Sequence, residues 1–424
     1  MTACAIETAV EVGAPRRTGF AITADGTYAA RLTLGSGSGS GGSRNRSGSG
    51  EEGAREGEGV GTGGADAWFP ERWTLDGPEP YAVPLPLDQP EEPGTDVLPL
   101  ADGRVLIRRR VADRHDFSLL YPTGPGTGQV PVGALACDRL TLLPPSPDGR
   151  SAYALAPGEH STTVWLVAGG AFGPERVAEI AGRCSGGVWL DRTGRILALD
   201  RERDGVVKAV AVDLGRGGEA TPLLQITEES NDRLLLADPD SGLLLIRSDA
   251  PGHDRLGWGV LGSLLPVRFP ECLRPLDCAV TPFAVQPGQV LMPESCAVAL
   301  RIDGAAGSGL GVWRPMSRRL HRLPVPRGWL AGTGLWTRDG VLRLPYATRE
   351  VPCGVAEILA PHEPVLSAAS LGGVRPAASG PAATAELSQT ESLVMEPSAP
   401  SRTPVMCRPV PLQQAPLSGR GAPG

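Results

Sequence analysis

The chain has 424 residues, of which 41% are hydrophobic, and a formal net charge of -7 at pH 7. This apolar content can form a large buried core, and the negative charge gives no electrostatic reason to bind nucleic acid or an anionic membrane. No segment reaches the ~20 apolar residues of a transmembrane helix, and residues 1–17 lack the basic and apolar regions of a secretory signal. The sequence therefore predicts a cytoplasmic globular protein with reduced thiols.

A turn carrying glycine, followed by an apolar strand, recurs seven times along the chain. The anchor glycines are Gly26, Gly103, Gly149, Gly194, Gly242, Gly288 and Gly340. From Gly103 onward the intervals are 46, 45, 48, 46 and 52 residues, and the first interval of 77 falls to 47 without the Gly/Ser-rich insert at residues 35–64. A fixed period of this length is typical of a β-propeller with one four-stranded blade per repeat. We therefore predict an all-β, seven-bladed propeller of four-stranded antiparallel blades.

Each repeat divides into four strand slots that are short, apolar and bounded by Gly, Pro or Asp. In the second repeat the slots read TDVLPL, RVLIRRR, FSLLYP and QVPVGALA. Tryptophan marks the register independently, because Trp165 and Trp258 each follow their anchor glycine by 16 residues. Trp73 follows Gly26 by 17 residues once the insert is removed. These rings are predicted to pack between neighbouring blades.

Three segments are predicted to lie outside the ring, which itself spans residues 18–370. The insert at 35–64 and the Pro/Ala/Ser-rich tail at 371–424 have compositions typical of disorder. The N-terminal segment, residues 1–17, contains AIETAVEV, which alternates like a strand and could close the ring. PVLSAA, residues 364–369, competes for the same closing position. The sequence leaves both alternatives open.

Turns such as SPDGRSAYAL and TRDGVLRLPY, with RERDGVVKAVAVDLG between second and third strands, resemble the TolB-type, WD-repeat-like propellers. They also resemble the propeller domains of prolyl-oligopeptidase-like enzymes. The chain departs from these patterns because no Trp-Asp dipeptide closes a blade, two turns read DRTG and PDSG, and no hydrolase domain follows the last repeat. The resemblance implies a closed ring with a central channel, in families that bind proteins or peptides or gate an active site.

The loops that join second to third strands carry most of the histidine. The candidate residues are His115, Asp116, Glu159, His160, Asp204, His253 and Asp254. Imidazole and carboxylate groups around a channel mouth could bind a divalent metal or a polar ligand. The alternative is that they brace neighbouring turns through hydrogen bonds to buried backbone, a demand that every loop must meet. Because His253 lies three blades from His115, we favour bracing.

Other motifs argue against particular chemistries. GxxxxGK, GxSxG, HExxH and CxxC are all absent, so no phosphate loop, serine-hydrolase elbow or common zinc site is indicated. Cys272, Cys278 and Cys296 are interpreted as buried small hydrophobes. The arginine-rich segment Trp313–Trp329 could bind nucleic acid or an acidic partner, but strand alternation favours a solvated edge.

The function predicted from the sequence is that of a non-catalytic binding or scaffolding propeller. Its binding surface would be the channel mouth, and its partner would be a protein or a peptide. The protein is predicted to be a monomer and to bind no cofactor, metal, nucleic acid or membrane. Two alternatives remain. One is a propeller enzyme of the metal-dependent lyase or lactonase type, whose groups would come from several blades. The other is a sensor or regulatory subunit of a multi-protein pathway.

Overall fold

The computed structural model describes residues 19–35, 67–288 and 291–361. Within these ranges the strands form seven separate antiparallel sheets, each made of consecutive strands of the chain. The described helices are three single 3-10 turns, at Leu214–Arg216, Glu271–Leu273 and Pro293–Ser295. None of the described helices is long and apolar enough to cross a membrane. The protein is an all-β, seven-bladed propeller, as the repeat predicts.

Blades 1 to 4 each contain four strands. Blade 1 consists of β1 (Phe20–Ile22), β2 (Tyr28–Gly35), β3 (Ala67–Thr74) and β4 (Tyr81–Pro84). Blade 2 consists of β5 (Asp96–Pro99), β6 (Val105–Val111), β7 (Arg114–Pro122) and β8 (Thr127–Ala136). Blade 3 consists of β9 (Thr141–Leu142), β10 (Ala152–Pro157), β11 (Ser161–Ala168) and β12 (Glu175–Ala181). Blade 4 consists of β13 (Arg183–Trp189), β14 (Ile196–Arg203), β15 (Val206–Asp213) and β16 (Glu219–Leu224).

Blades 5 and 7 each have three strands within the described residues. Blade 5 consists of β17 (Asp232–Ala237), β18 (Leu243–Ser248) and β19 (Arg255–Val260), with its outer position reduced to the isolated bridge Trp258–Arg268. Blade 6 consists of β20 (Ala279–Val285), β21 (Val298–Gly304), β22 (Gly307–Trp313) and β23 (His321–Leu323). Blade 7 consists of β24 (Leu335–Trp336), β25 (Val341–Tyr346) and β26 (Gly354–Leu359). Both predicted closing segments lie outside the described residues.

Because adjacent strands run antiparallel, the connections fall on two opposite faces of the ring. One face carries the turns between first and second strands and the loops between third and fourth strands, and we call it the turn face. The loops between second and third strands and the connections between blades form the loop face. β2 ends at Gly35 and β3 begins at Ala67, so both of these strand ends lie on the loop face of blade 1.

The anchor glycines all lie between the first and second strands of their blades, as predicted. Six of them adopt positive φ, for example Gly103 at 81°, a conformation that only glycine reaches without strain. Gly288 is different, since its φ is not positive. It lies in a longer loop, which also contains the 3-10 turn Pro293–Ser295. Glycine is needed there for close approach, because an added Cβ would lie 2.4 Å from the Cβ of Ser241 in blade 5. The first turn of blade 6 is therefore longer than those of the other blades.

The core consists of apolar clusters between neighbouring blades rather than one central cluster. In the described residues there is one such cluster at each of the seven blade interfaces. The cluster that joins blade 1 to blade 7 contains Phe20 and Trp73 from the first blade and Leu330 and Val355 from the last. Burial of apolar surface thus closes the ring between the first and last repeats.

The three tryptophans used as register marks all lie on third strands and pack in clusters that span two blades. Trp73 is fully buried, Trp258 is 4% exposed, and Trp165 is half-buried. Their clusters join blades 1 and 7, blades 5 and 6, and blades 2 and 3 respectively. The predicted packing of these rings between blades is confirmed.

Removing the insert should leave the fold intact. Strands β2 and β3 pair continuously from Tyr28–Thr74 to Gly35–Ala67, so their register does not depend on the residues between them. Replacing residues 36–66 with a two-residue Asn-Gly turn should change the melting temperature by no more than a few degrees, because loop closure costs only ~0.6 kcal/mol per doubling of length. A Gly/Ser loop of the native length serves as the control. A large loss of stability in both variants would mean that the insert packs against the ring.

Candidate functional site

The predicted site residues lie at or near the loop face, but they are distributed over four blades. His115 and Asp116 belong to blade 2, and the exposed pair Glu159 and His160 lies in the β10–β11 loop of blade 3. Asp204 lies in the β14–β15 loop of blade 4. His253 and Asp254 lie in the β18–β19 loop of blade 5. Among the described residues, no group of three or more His, Cys, Asp or Glu side chains is arranged to hold a metal ion.

His115 is not in a loop, which corrects the prediction from the sequence. The turn before it is only two residues long, with Ala112 at a φ of 56°, and His115 is the second residue of β7. It is 2% exposed, and its Nδ1 lies 2.9 Å from Nη1 of Arg108, which also pairs with Asp96. Burial, followed by the charges of Arg108 and Arg110, holds the pKa of His115 below its usual value. His115 is therefore a buried strand residue in contact with Arg108, and its lowered pKa favours the neutral imidazole.

Asp116 is half-buried and lies 3.2 Å from Arg114 in the same strand, and the remaining predicted residues are solvent-exposed. The side chains of Glu159 and His160 are both 88% exposed and contact each other at 3.7 Å. Asp204 occupies a turn with a φ of 51°, and Asp254 lies 3.8 Å from Arg247 within its own blade. None of these three contacts brings residues of different blades together. The equal spacing in sequence reflects the repeat of the fold, and it does not make these side chains converge.

Bracing of the connections between blades does occur, but residues near the start of third strands provide it. Thr162, the second residue of β11, donates a hydrogen bond from its hydroxyl to the carbonyl of Gly182 at 3.0 Å. The same hydroxyl accepts one from the amide of Cys184 at 2.8 Å. The start of blade 4 is thereby tied to the third strand of blade 3. Thr162 and His115 occupy the same position in their strands, and this register was the signal that could have identified them.

Lys208 makes the strongest of these braces. It is the third residue of β15, and its ammonium donates to the carbonyls of Thr227 and Ser230 and to Oδ2 of Asp232 at 2.9 Å. Asp232 is fully buried and also accepts hydrogen bonds from Ser230, from the hydroxyl of Ser248 and from the amide of Ile226. An ion pair thus fixes the connection from blade 4 to blade 5. No sequence motif marks this brace, because a single lysine forms no local pattern.

The described cysteines are all free thiols, and they are Cys137, Cys184, Cys272, Cys278, Cys296 and Cys353. Cys296 is buried in the cluster between blades 5 and 6, where Cys272 and Cys278 pack as partly buried neighbours. Burial raises the pKa of the Cys353 thiol to about 12, so this thiol stays protonated at neutral pH. Each of these side chains contributes as a small hydrophobe.

Asp200 is a second buried carboxyl between blades 4 and 5. Its Oδ1 accepts a hydrogen bond from the amide of Leu234 at 3.1 Å, and Arg233 lies 3.5 Å from Oδ2. Burial outweighs both contacts and raises the pKa of Asp200 to about 6. The folded state therefore holds the proton more tightly than the unfolded chain, for which the ordinary value is 3.8. The resulting stabilisation is complete below about pH 4 and is lost as the pH rises through 6.

Asp200→Asn should therefore stabilise the protein relative to wild type as the pH rises from 4.5 to 8. The amide oxygen can still accept from Leu234 but carries no charge, so the difference in unfolding free energy should shift by ~2–3 kcal/mol across this range. Chemical denaturation at several pH values measures it. Asp213→Asn is the control, because Arg195 lowers the pKa of that half-buried carboxyl and its removal should act in the opposite direction. Parallel pH profiles for wild type and Asp200→Asn would contradict the assignment.

A cluster of exposed apolar side chains lies on the turn face of blades 5 and 6. Leu264 and Leu265 follow β19 and are 87% and 56% exposed. Met292 lies in the β20–β21 loop and Met316 in the β22–β23 loop, with exposures of 68% and 61%. We call these four residues the apolar corner. Sequence reasoning missed it, because its members come from three loops that only the fold brings together.

Contacts between the loops make the apolar corner continuous. The amide of Met316 donates to the carbonyl of Glu294 at 2.9 Å, and the hydroxyl of Ser295 lies 3.7 Å from the sulfur of Met316. The amide of Ser295 in turn donates to the carbonyl of Met292 at 2.8 Å. Glu294 and Leu265 line the same shallow groove. The corner is thus one surface built by two adjacent blades.

The arginine-rich segment borders this corner. Arg318 and Arg319 are exposed in the same loop as Met316, before β23 begins at His321. Arg322 is exposed on the outer strand of blade 6, between two partly buried neighbours. The predicted position on a solvated edge strand thus applies to Arg322. Arg318 and Arg319 instead belong to the loop beside the apolar corner.

Comparisons with known proteins show a likeness of fold. No protein-family model matches the chain, and no curated protein matches it. Among solved structures, TolB from Acinetobacter baumannii is 14% identical with a TM-score of 0.41, over 61% of this chain and 60% of that one. Prolyl oligopeptidase B from Galerina marginata is 10% identical with a TM-score of 0.46, over 79% of this chain and 44% of the peptidase.

An acylaminoacyl peptidase from Pyrococcus horikoshii is likewise 10% identical with a TM-score of 0.46, over 78% of this chain and 49% of that one. The chain thus spans less than two thirds of each of these three proteins. The propeller fold that the resemblance implies is confirmed by the seven sheets of this chain. The strand pairing of this chain defines its class, which is that of the seven-bladed β-propellers.

Proposed function

We infer that this propeller is a non-catalytic binding module, and that a protein or peptide partner docks on its apolar corner. The observation that carries this proposal is the grouping of Leu264, Leu265, Met292 and Met316, each more than half exposed, on adjoining loops of two blades. Grouped exposed apolar residues mark interaction sites in soluble proteins, whereas single ones are normal. Methionine is especially suited to such a surface, since its flexible thioether adapts to a partner.

The loop face, which the sequence favoured, offers less apolar surface in one place. Its exposed large apolar residues lie on blades 1, 2 and 7 and in the connections between blades 5 and 6 and between blades 6 and 7. They are Leu34, Val111, Leu276, Val325 and Val351. Its histidines do not meet across blades. A partner that needs several apolar contacts would therefore gain more from the apolar corner. Docking on the turn face also leaves the channel mouth free.

Recovery of partners from native extract with matched surface variants tests this function. We expect tagged wild-type protein to retain a reproducible set of proteins, and the double variant Leu264→Ser/Met316→Ser to lose at least nine tenths of the main one. Phe172→Ser is the control, because Phe172 is 98% exposed on the turn face of blade 3 and its replacement should leave recovery unchanged. Equal recovery by the corner variant, or loss only with His160→Ala/His253→Ala, would contradict the proposal.

A further inference from the structure

The apolar corner is accompanied by positive charge that no described carboxylate neutralises. Arg318 and Arg319 are exposed beside Met316, and neither forms an ion pair with a described residue. Arg268 is exposed near Leu265, with its guanidinium 5.1 Å from the ring centroid of Trp258. Elsewhere on the turn face, Arg192 pairs with Asp240 and Arg195 with Asp213. Arg318 and Arg319 adjoin Met316 in one loop, and Arg268 lines the same groove as Leu265.

The loop that carries Arg318 and Arg319 is held in place by hydrogen bonds of Ser317. Ser317 is 6% exposed, and its carbonyl accepts a hydrogen bond from Nε1 of the fully buried Trp313 at 3.2 Å. The hydroxyl of Ser317 accepts another from the amide of Arg319 at 3.1 Å. Because the backbone is already fixed, little loop entropy is lost when a partner binds.

A shallow groove beside these residues has a largely apolar lining. Its walls are formed by Trp258, Val260, Leu265 and Pro266, while Arg268 and Glu294 supply its polar groups. Glu294 is the acidic residue of the groove, so the carboxylates of a partner would lie toward the three arginines and away from it. Apolar anchors flanked by charge are the usual composition of a docking site, in which methionine, arginine and aromatic residues are enriched.

We propose, on the basis of the function inferred above, that the partner presents an acidic peptide segment with apolar anchor residues. Its apolar side chains cover the apolar corner. Its carboxylates pair with Arg268, Arg318 and Arg319, because guanidinium groups bind carboxylates with two parallel hydrogen bonds. Nucleic acid is a poorer fit, since it leaves four exposed apolar side chains uncovered. An anionic bilayer is also a poorer fit, because it would be repelled by a chain that is negatively charged overall.

Selection from a random 12-residue peptide library displayed on phage tests this proposal with the full-length protein. We expect the retained sequences to be enriched in Asp and Glu together with Leu, Phe or Met. The best synthetic peptide, measured by fluorescence anisotropy, should bind wild type at least tenfold more tightly than Arg318→Glu/Arg319→Glu. It should bind Phe172→Ser as it binds wild type. Selection repeated on the charge-reversal variant should enrich basic residues, and its unchanged melting temperature should show that the variant folds.

Enrichment of basic peptides on wild type, enrichment that ignores charge, or no enrichment at all would overturn the proposal. Tighter binding of single-stranded oligonucleotides, or of phosphatidylserine vesicles, would also overturn it. So would dimerisation of the protein through the corner, measured by sedimentation. If partner recovery still depends on Leu264 and Met316 while the charge-reversal variant behaves as wild type, the acidic-peptide proposal fails and the binding function stands.

Discussion

Replacing Lys208 with methionine should destabilise the protein by about 3–5 kcal/mol, because it leaves the carboxylate of Asp232 buried without its ion-pair partner. Asp232 is fully buried and Lys208 only 18% exposed, so water cannot replace the lost contact. The carbonyls of Thr227 and Ser230 lose their donor at the same time. Equilibrium unfolding in urea measures the effect, with a fall in melting temperature of roughly 10 °C as its thermal counterpart.

Two further variants separate this ion pair from a general effect of surface charge. Adding Asp232→Asn to Lys208→Met should recover part of the lost stability, because the buried charge is removed along with its partner. Arg216→Met is the surface control. Arg216 is 66% exposed and lies 3.4 Å from Glu219, so its replacement should change stability by less than ~0.5 kcal/mol. Equal effects of Lys208→Met and Arg216→Met would contradict the role of Lys208.

Replacing Trp73 with alanine should cost about 3–5 kcal/mol, because it opens a cavity at the interface that closes the ring. Trp73 is fully buried, packs edge-on against Phe20 with ring centroids 5.0 Å apart, and donates from Nε1 to Glu71 at 2.8 Å. Arg31 covers the ring at 4.9 Å. Loss of this contact should weaken the junction between blades 1 and 7. Hydrogen exchange should therefore accelerate first in these two blades.

Trp165 provides a matched control for Trp73, since it is the register-marking tryptophan of blade 3. Trp165→Ala should be clearly less destabilising, because this ring is only half-buried. Its effect should also be confined to the junction of blades 2 and 3. An equal loss of stability in the two variants, without faster exchange in blades 1 and 7, would show that Trp73 has no special part in closure.

The sequence predicts the fold well because a propeller repeats one local pattern. Turns such as that at Gly103 must reach positive φ, which restricts them to glycine, and each is followed by an apolar strand that must be buried between blades. Gly288 shows where this logic weakens. It has the expected spacing but not the expected conformation, because its loop is longer and is shaped by the approach of Ser241 from the neighbouring blade.

The candidate site could not be predicted in the same way. The spacing in sequence identified His115 and His160 as equivalent. It could not show that His115 is buried in a strand whereas His160 is exposed in a loop, because the two positions differ by only two or three residues within the repeat. The apolar corner has no local motif either. Leu264 and Met316 are far apart in sequence and meet only because blades 5 and 6 are neighbours. Buried pairs such as Lys208 and Asp232 are hidden for the same reason, because both their burial and their partners come from tertiary structure.

Site-specific photo-crosslinking in the producing cells tests the central claim most directly. A photoreactive amino acid is placed at Leu264, at Phe172 on the turn face of blade 3, or at His160 on the loop face, one position per variant. All three side chains are exposed, so each variant should fold. We predict a strong adduct of defined mass from position 264 and none from positions 172 and 160. An adduct from position 160 with none from position 264 would contradict docking at the apolar corner and would restore the loop face as the binding surface.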